Sequence, residues 1–171
     1  ALLDNGAVSC WGYGTSGQLG NGGTTSKNTP TLTNSLGTGR TAVAIASGEE
    51  STCALLDNGA VSCWGTKSYG RLGDGSSSGV QKTPSLTNSL GTGRTAVAIS
   101  SGSGHTCVIL DNGAVSCWGY GASGQLGDGG TGWSSAPTLT SSLGTGRTAV
   151  AISLGNSHTC AILDNGAVTC W

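Results

Sequence analysis

Cysteine is the chemically able residue that recurs most regularly in this chain, at Cys10, Cys53, Cys63, Cys107, Cys117, Cys160 and Cys170. Six of the seven form pairs ten residues apart, one on each side of an Asp-Asn-Gly triplet. Zinc sites bring cysteines together at spacings of about two to four residues, so a metal centre is a poor fit. A hairpin disulfide fits better. With Asp57-Asn58-Gly59 as a three-residue loop and Gly59 in the left-handed conformation, Cys53 stands opposite Cys63. Opposed Cβ atoms about 4.5–5.5 Å apart can close into a bridge. The expected pairs are therefore Cys53–Cys63, Cys107–Cys117 and Cys160–Cys170. Buried free thiols are the alternative. Cys10 is left over, because its counterpart position would fall before Ala1. Repeated disulfides imply an oxidising compartment.

The other reactive side chains read as structural. His105 and His158 each lie two residues before a cysteine, where metal binding or general-base work is conceivable. The preceding unit has Ser51 at that position and no acidic partner recurs, which favours hydrogen bonding. Asp57, Asp111 and Asp164 precede Asn-Gly and are expected to close turns through their own side chains. Asp74 and Asp128 supply one carboxylate per loop, too few for a tight calcium site. Arg40, Arg94 and Arg147 recur in identical settings and are expected to clamp loop carbonyls or a neighbouring unit's carboxylate. Glu49-Glu50 occurs in one unit alone and is expected to be solvated. Trp133, Lys27 and Lys82 fall in or beside the segments that vary between units and are the candidate partner contacts. No residue is assigned to catalysis, to a cofactor or to a metal. No nucleophile motif, paired catalytic carboxylates or phosphate-binding loop stands out.

The elements that position these residues come from a repeat. Asp-Asn-Gly-Ala-Val recurs at Asp4, Asp57, Asp111 and Asp164, at spacings of 53, 54 and 53. Gly-(Gln/Arg)-Leu-Gly recurs from Gly17, Gly70 and Gly124. The chain divides into a partial unit 1–36, units 37–90 and 91–143, and a partial unit 144–171. Windows 21–29, 74–83 and 128–136 vary, and they are expected on one face. In one unit, residues 41–46, 52–56 and 60–64 read as strands, and 83–87 as a shorter one opened by Pro84. No long stretch has helical spacing. The fold class is all-β: tandem four-stranded antiparallel blades of a β-propeller, about three of them, open or part of a longer array. A solenoid is the competing architecture.

The stretch from Ala96 to Gly129 resembles the repeat of the regulator of chromosome condensation family. The matching residues are Gly102, His105, Thr106, Gly113, Trp118, Gly119 and Gly124 to Gly127. The resemblance covers the whole chain and implies propeller blades, of which seven typically close a ring. At this period seven would need roughly 370 residues, so the chain reads as a fragment or a processed product. Trp11, Trp64, Trp118 and Trp171 are then expected to fill gaps between blades.

Charged residues make up 9% of the chain, the net charge is −1 and glycine takes 32 positions. That excludes the basic footprint of a nucleic-acid binder. No apolar run approaches the roughly 20 residues of a membrane helix. Low charge and hairpin cysteines point to an extracellular-like variant of the family, of bacterial or archaeal type, outside the cell or on its surface. The expected role is a non-catalytic structural or adhesive scaffold, which could extend into an array or filament. It would contact a protein partner, or itself, through repeat ends and variable loops. The alternative is an inhibitor- or receptor-like propeller that binds through its variable loops. The resemblance also implies guanine-nucleotide exchange on a small GTPase. The cysteines, weak charge and missing basic tail argue against that role.

Overall fold

The computed structural model describes residues 1–171. Strands β1 (Ser9–Gly12) and β2 (Lys27–Leu32) pair at the start of the chain. Next come β3 (Ala42–Ser47), β4 (Ser51–Leu56), β5 (Val61–Thr66) and β6 (Val80–Leu86), a four-stranded sheet in simple sequence order. Strands β7 (Ala96–Ser101), β8 (His105–Leu110), β9 (Val115–Gly119) and β10 (Ser134–Leu139) repeat it. The chain ends with β11 (Ala149–Leu154), β12 (Thr159–Leu163) and β13 (Val168–Cys170). Every pairing is antiparallel. These are successive propeller blades, and β3, β7 and β11 lie side by side along their inner edge. The one helical element is a single 3-10 turn at Ser68–Gly70.

The hairpin loop sets the register. Gly59 has φ +75°, a region in which a Cβ is strained. Its N–H donates to the Leu56 carbonyl at 2.9 Å, and the Leu56 N–H donates to the Ala60 carbonyl at 2.8 Å. Leu55 then faces Val61, Ala54 faces Ser62 and Cys53 faces Cys63.

Stacking of the blades explains why β4 and β5 do not alternate. Every residue of both strands is buried, as is every residue of β8 and β9. A middle strand has a blade against each of its faces, so small polar residues such as Ser62 and Ser116 occupy covered positions. The apolar clusters run between sheets. Leu55, Val61 and Leu72 of one blade pack with Ala96, Val108 and Trp118 of the next.

The outer strand differs from the sequence expectation. It spans Val80–Leu86 rather than 83–87, so four residues of the variable window 74–83 belong to β6. Pro84 lies inside the strand, where the register against β5 shifts between Cys63 and Gly65. A proline has no N–H to give to a ladder, and a bulge on an edge strand accommodates that loss.

Candidate functional site

The blades are locked together by one repeated device. The indole N–H of Trp64 reaches back to the Gln18 carbonyl of the preceding blade at 2.9 Å. Trp118 does the same to the Arg71 carbonyl at 3.2 Å, and Trp171 to the Gln125 carbonyl at 3.1 Å. The hydroxyls of Thr52 and Thr159 donate to the carbonyls of Gln18 and Gln125. Glycine makes the approach feasible, since a Cβ on Gly73 would stand 2.9 Å from the Trp118 indole nitrogen. Trp64 and Trp118 are fully buried in this way, whereas Trp11 is exposed.

The sulfurs of Cys53 and Cys63, Cys107 and Cys117, and Cys160 and Cys170 are bonded, each pair with Cα atoms 4.1 Å apart. All three link the two strands of one hairpin. Cys10 is free and half-buried, and burial pushes its thiol above the ordinary range. His105 is buried, and its Nε2 lies 3.0 Å from the Thr159 hydroxyl of the next blade. Its Nδ1 has no partner. Burial, with a smaller contribution from the nearby His158, holds its pKa down to about 4. His158 itself is exposed.

The charged residues depart from the sequence reading in two ways and add to it in a third. The turn is closed by asparagine, not by aspartate: the Asn58 side-chain oxygen accepts from Ala60 N–H, as Asn112 does from Ala114. The neighbouring aspartates instead face arginines of their own blade, Arg40–Asp57 at 3.3 Å, Arg94–Asp111 at 3.4 Å and Arg147–Asp164 at 3.5 Å. The longer arginine side chain crosses to the hairpin loop beside it, within the sheet rather than between sheets. Glu49 is exposed and the Glu50 side chain is 41% exposed, as expected, but each also makes a bond across a blade boundary that the sequence did not show. Ser103 of the next blade donates to Glu49 at 2.6 Å, and Ser16 of the preceding blade donates to Glu50 at 3.2 Å. Asp74 pairs with Lys67 at 2.6 Å and accepts from Ser76 N–H, while Asp128 accepts from Gly130 N–H. No three His, Cys, Asp or Glu side chains converge as a metal site.

Consecutive variable windows touch. Gly22 N–H donates to the Lys82 carbonyl at 2.9 Å, and Gly75 N–H donates to the Ser135 carbonyl at 2.8 Å. They form one rim along the array. Trp133 is 53% exposed on it, so its ring is available to a partner rather than folded onto its own blade. Lys82 is exposed and Lys27 half-buried.

The second unit carries a feature that sequence reasoning missed. Gln18 and Gln125 each accept a backbone N–H of their own loop through Oε1, from Ser16 and Ser123. Arg71 takes that position in the second unit and is buried, with Nε donating to the Ser68 carbonyl at 3.1 Å. Tyr69 replaces the serine and has φ +60°, the one non-glycine residue in the left-handed region. Its ring meets Tyr120 of the next blade edge-on, centroids 5.0 Å apart. The available signal was the change from Gly-Gln-Leu-Gly to Gly-Arg-Leu-Gly at Gly70.

A family described as the regulator of chromosome condensation (RCC1) repeat matches residues 5–55, 58–109 and 112–162. The human E3 ubiquitin-protein ligase HERC2 is 37% identical over 160 residues, spanning 94% of this chain and 3% of its own length. The ultraviolet-B receptor UVR8 of Arabidopsis thaliana is 33% identical over 172 residues, spanning 100% of this chain and 38% of its own. Among solved structures, human WBSCR16 superposes with a TM-score of 0.87 at 25% identity, over 99% of this chain and 44% of its own. Prp20p of Saccharomyces cerevisiae, at 0.82 and 19% identity over 94% and 40% of the two chains, shares the fold. The chain thus spans less than half the length of each of these proteins.

Proposed function

The chain belongs to the regulator of chromosome condensation repeat family, and from that premise we propose that it is a protein-binding segment of a β-propeller array with a structural or adhesive role outside the cell or at its surface. The observation that carries this reading is the hairpin disulfide repeated in register, Cys53–Cys63, Cys107–Cys117 and Cys160–Cys170. A reducing cytosol would not maintain such bridges. The reading is non-catalytic because the repeated polar groups are occupied in holding blades. Thr52 and Trp64 are taken by the Gln18 carbonyl, Asp57 by Arg40 and His105 by Thr159. The rim of variable windows, with Trp133 exposed on it, is free for a partner. The ligase chemistry in HERC2's name belongs to a protein of which this chain matches 3%.

The test is to fractionate the cells that make the protein, alkylate without reduction, and map the peptides. Three hairpin-linked peptides recovered from the extracellular or surface fraction support the reading. Protein confined to the cytosol with six alkylated hairpin cysteines overturns it.

A further inference from the structure

We propose that the cleft beside Arg71 is a carboxylate-binding site for a protein partner, taking an aspartate or glutamate side chain or a C-terminus. The cleft measures about 160 Å³ and is lined by residues of three successive blades, among them Tyr69, Arg71, Ser103, Gly104, Tyr120 and Asn156. Its lining residues lie outside the variable windows, but it adjoins their rim, since Gly70 between Tyr69 and Arg71 packs against Ser134 and Ser135.

Arg71 is poorly explained by folding alone. Where the other units hold glutamine, the side-chain oxygen closes the loop by accepting a serine N–H. A guanidinium has no acceptor, so the exchange loses that bond and buries a charge. The charge is not well matched either. Arg71 is 7% exposed and its Nη1 has no hydrogen-bond partner. The nearest carboxylate oxygen, Oε2 of Glu50, lies 3.8 Å away, beyond hydrogen-bonding distance, while Oε1 of Glu50 already accepts from Ser16. Nε is taken by the Ser68 carbonyl and Nη1 is sealed from solvent beside Glu50, so Nη2 is the donor left to meet a carboxylate, through a charge-assisted hydrogen bond.

The surroundings fit the same ligand. Tyr69 keeps an unfavourable backbone conformation, at φ +60°, that sets its ring against Tyr120 at the cleft wall. Gly104 stands where the neighbouring units have Glu50 and Ser157. A Cβ there would come within 3.1 Å of the Tyr120 Cβ and 3.9 Å of Arg71 Nη2, so the missing side chain leaves space beside Nη2. Glu49 and Glu50 border the site and repel any anion, a doubly charged phosphate about twice as strongly as a single carboxylate, so the smaller charge is favoured. The assignment rests on the protein-binding reading above, and deepens it by naming the chemistry of one contact.

The test is a titration of the folded chain, followed by NMR signals of the Arg71 side chain and the Tyr69 and Tyr120 rings. The probes are acetyl-Gly-Glu-Gly-amide, acetyl-Gly-Gly-Gly with a free C-terminus, acetyl-Gly-Gln-Gly-amide and acetyl-Gly-phosphoserine-Gly-amide. One or both carboxylate peptides should shift these signals, and which of them does so separates side chain from C-terminus. The glutamine peptide should bind about tenfold more weakly or not at all. Arg71→Gln and Tyr69→Ser restore residues that sibling units carry, so the blades should still fold. Arg71→Gln should abolish carboxylate binding and Tyr69→Ser should weaken it several-fold. Equal binding of the glutamine peptide, unchanged binding by Arg71→Gln, tighter binding of the phosphopeptide, or no shift with any peptide would each overturn the site. None of these results alters the compartment and disulfide map that tests the broader reading, so the two fail separately.

Discussion

The indole nitrogen of Trp64 and the backbone carbonyl of Gln18 lie 2.9 Å apart although 46 residues separate them in the chain. The same bond recurs between Trp118 and Arg71 and between Trp171 and Gln125. It uses the backbone of the earlier residue, so it survives the exchange of glutamine for arginine. That independence lets one unit change its side chains for another purpose while the blades stay in register.

Gly73 and Gly93 separate the two demands placed on glycine in this lock. Both have φ +68°, but a Cβ on Gly73 meets the Trp118 indole, and one on Gly93 meets nothing within 4 Å. Gly93→Ala should therefore cost only the left-handed backbone strain, about 1–2 kcal/mol. Gly73→Ala adds overpacking against a buried indole and should cost roughly 1–3 kcal/mol more. Urea unfolding of the two variants measures the difference. Equal losses would show that the indole yields freely and that the lock is loose.

Much of this fold could be read from the residues alone, because a three-residue Asp-Asn-Gly loop leaves one register for the strands beside it. Cys53 opposite Cys63 follows from that loop without any knowledge of the neighbouring blades. The missed features depend on what stands across the sheet or beyond it. Whether Asp57 closes its own turn or meets Arg40 depends on how the loop before β3 folds back. The bonds of Glu49 and Glu50 were missed because their serine partners sit 54 and 34 residues away on the adjoining blades. Arg71, Ser103 and Asn156 share one cleft only because three blades stack. A repeat shows which positions are equivalent, and the function of a departure from it emerges when the copies are packed together.

His105 should make stability depend on pH. Its pKa is held to about 4 in the folded chain, against an ordinary value of 6.5. The unfolded state therefore binds more protons between these values, and stability rises with pH across that window. The full stability is present above about pH 6.5, and up to about 3 kcal/mol is lost as pH falls through 4. His105→Ser, which installs the residue of Ser51, should flatten the urea midpoint between pH 7 and pH 4 relative to the parent chain. Parallel curves for both proteins would remove His105 as the cause.

The disulfides should contribute separately. Each closes a short loop, so removing one pair as Cys107→Ala with Cys117→Ala should cost about 2–3 kcal/mol by the chain-entropy argument. The paired outer blade bridge, Cys160–Cys170, should behave alike when tested the same way. Alkylation of the unreduced, denatured chain should label Cys10 alone. In the native chain at neutral pH that labelling should be slow, since burial raises the Cys10 thiol. Peptides bridged between different units would contradict the hairpin pairing.

The arginine–aspartate pairs should matter least, despite being the most regular charged feature of the array. Arg94 and Asp111 approach to 3.4 Å, yet their side chains remain 38% and 36% exposed. An ion pair this open exchanges one set of water contacts for a Coulomb attraction weakened by solvent and salt. Asp111→Asn should therefore lower stability by about 0.5 kcal/mol or less. Its hydrogen bond from the Thr95 N–H, at 3.4 Å, is one that an asparagine oxygen can still accept. Asp57→Asn and Asp164→Asn occupy the same setting in their own blades and should give matching values. The difference between parent and variant should shrink further in about 1 M salt, where the screening length is roughly 3 Å. Thermal melts at low and high ionic strength read both effects, and a loss of several kcal/mol at either would mean that these pairs hold the hairpin loops against the blade.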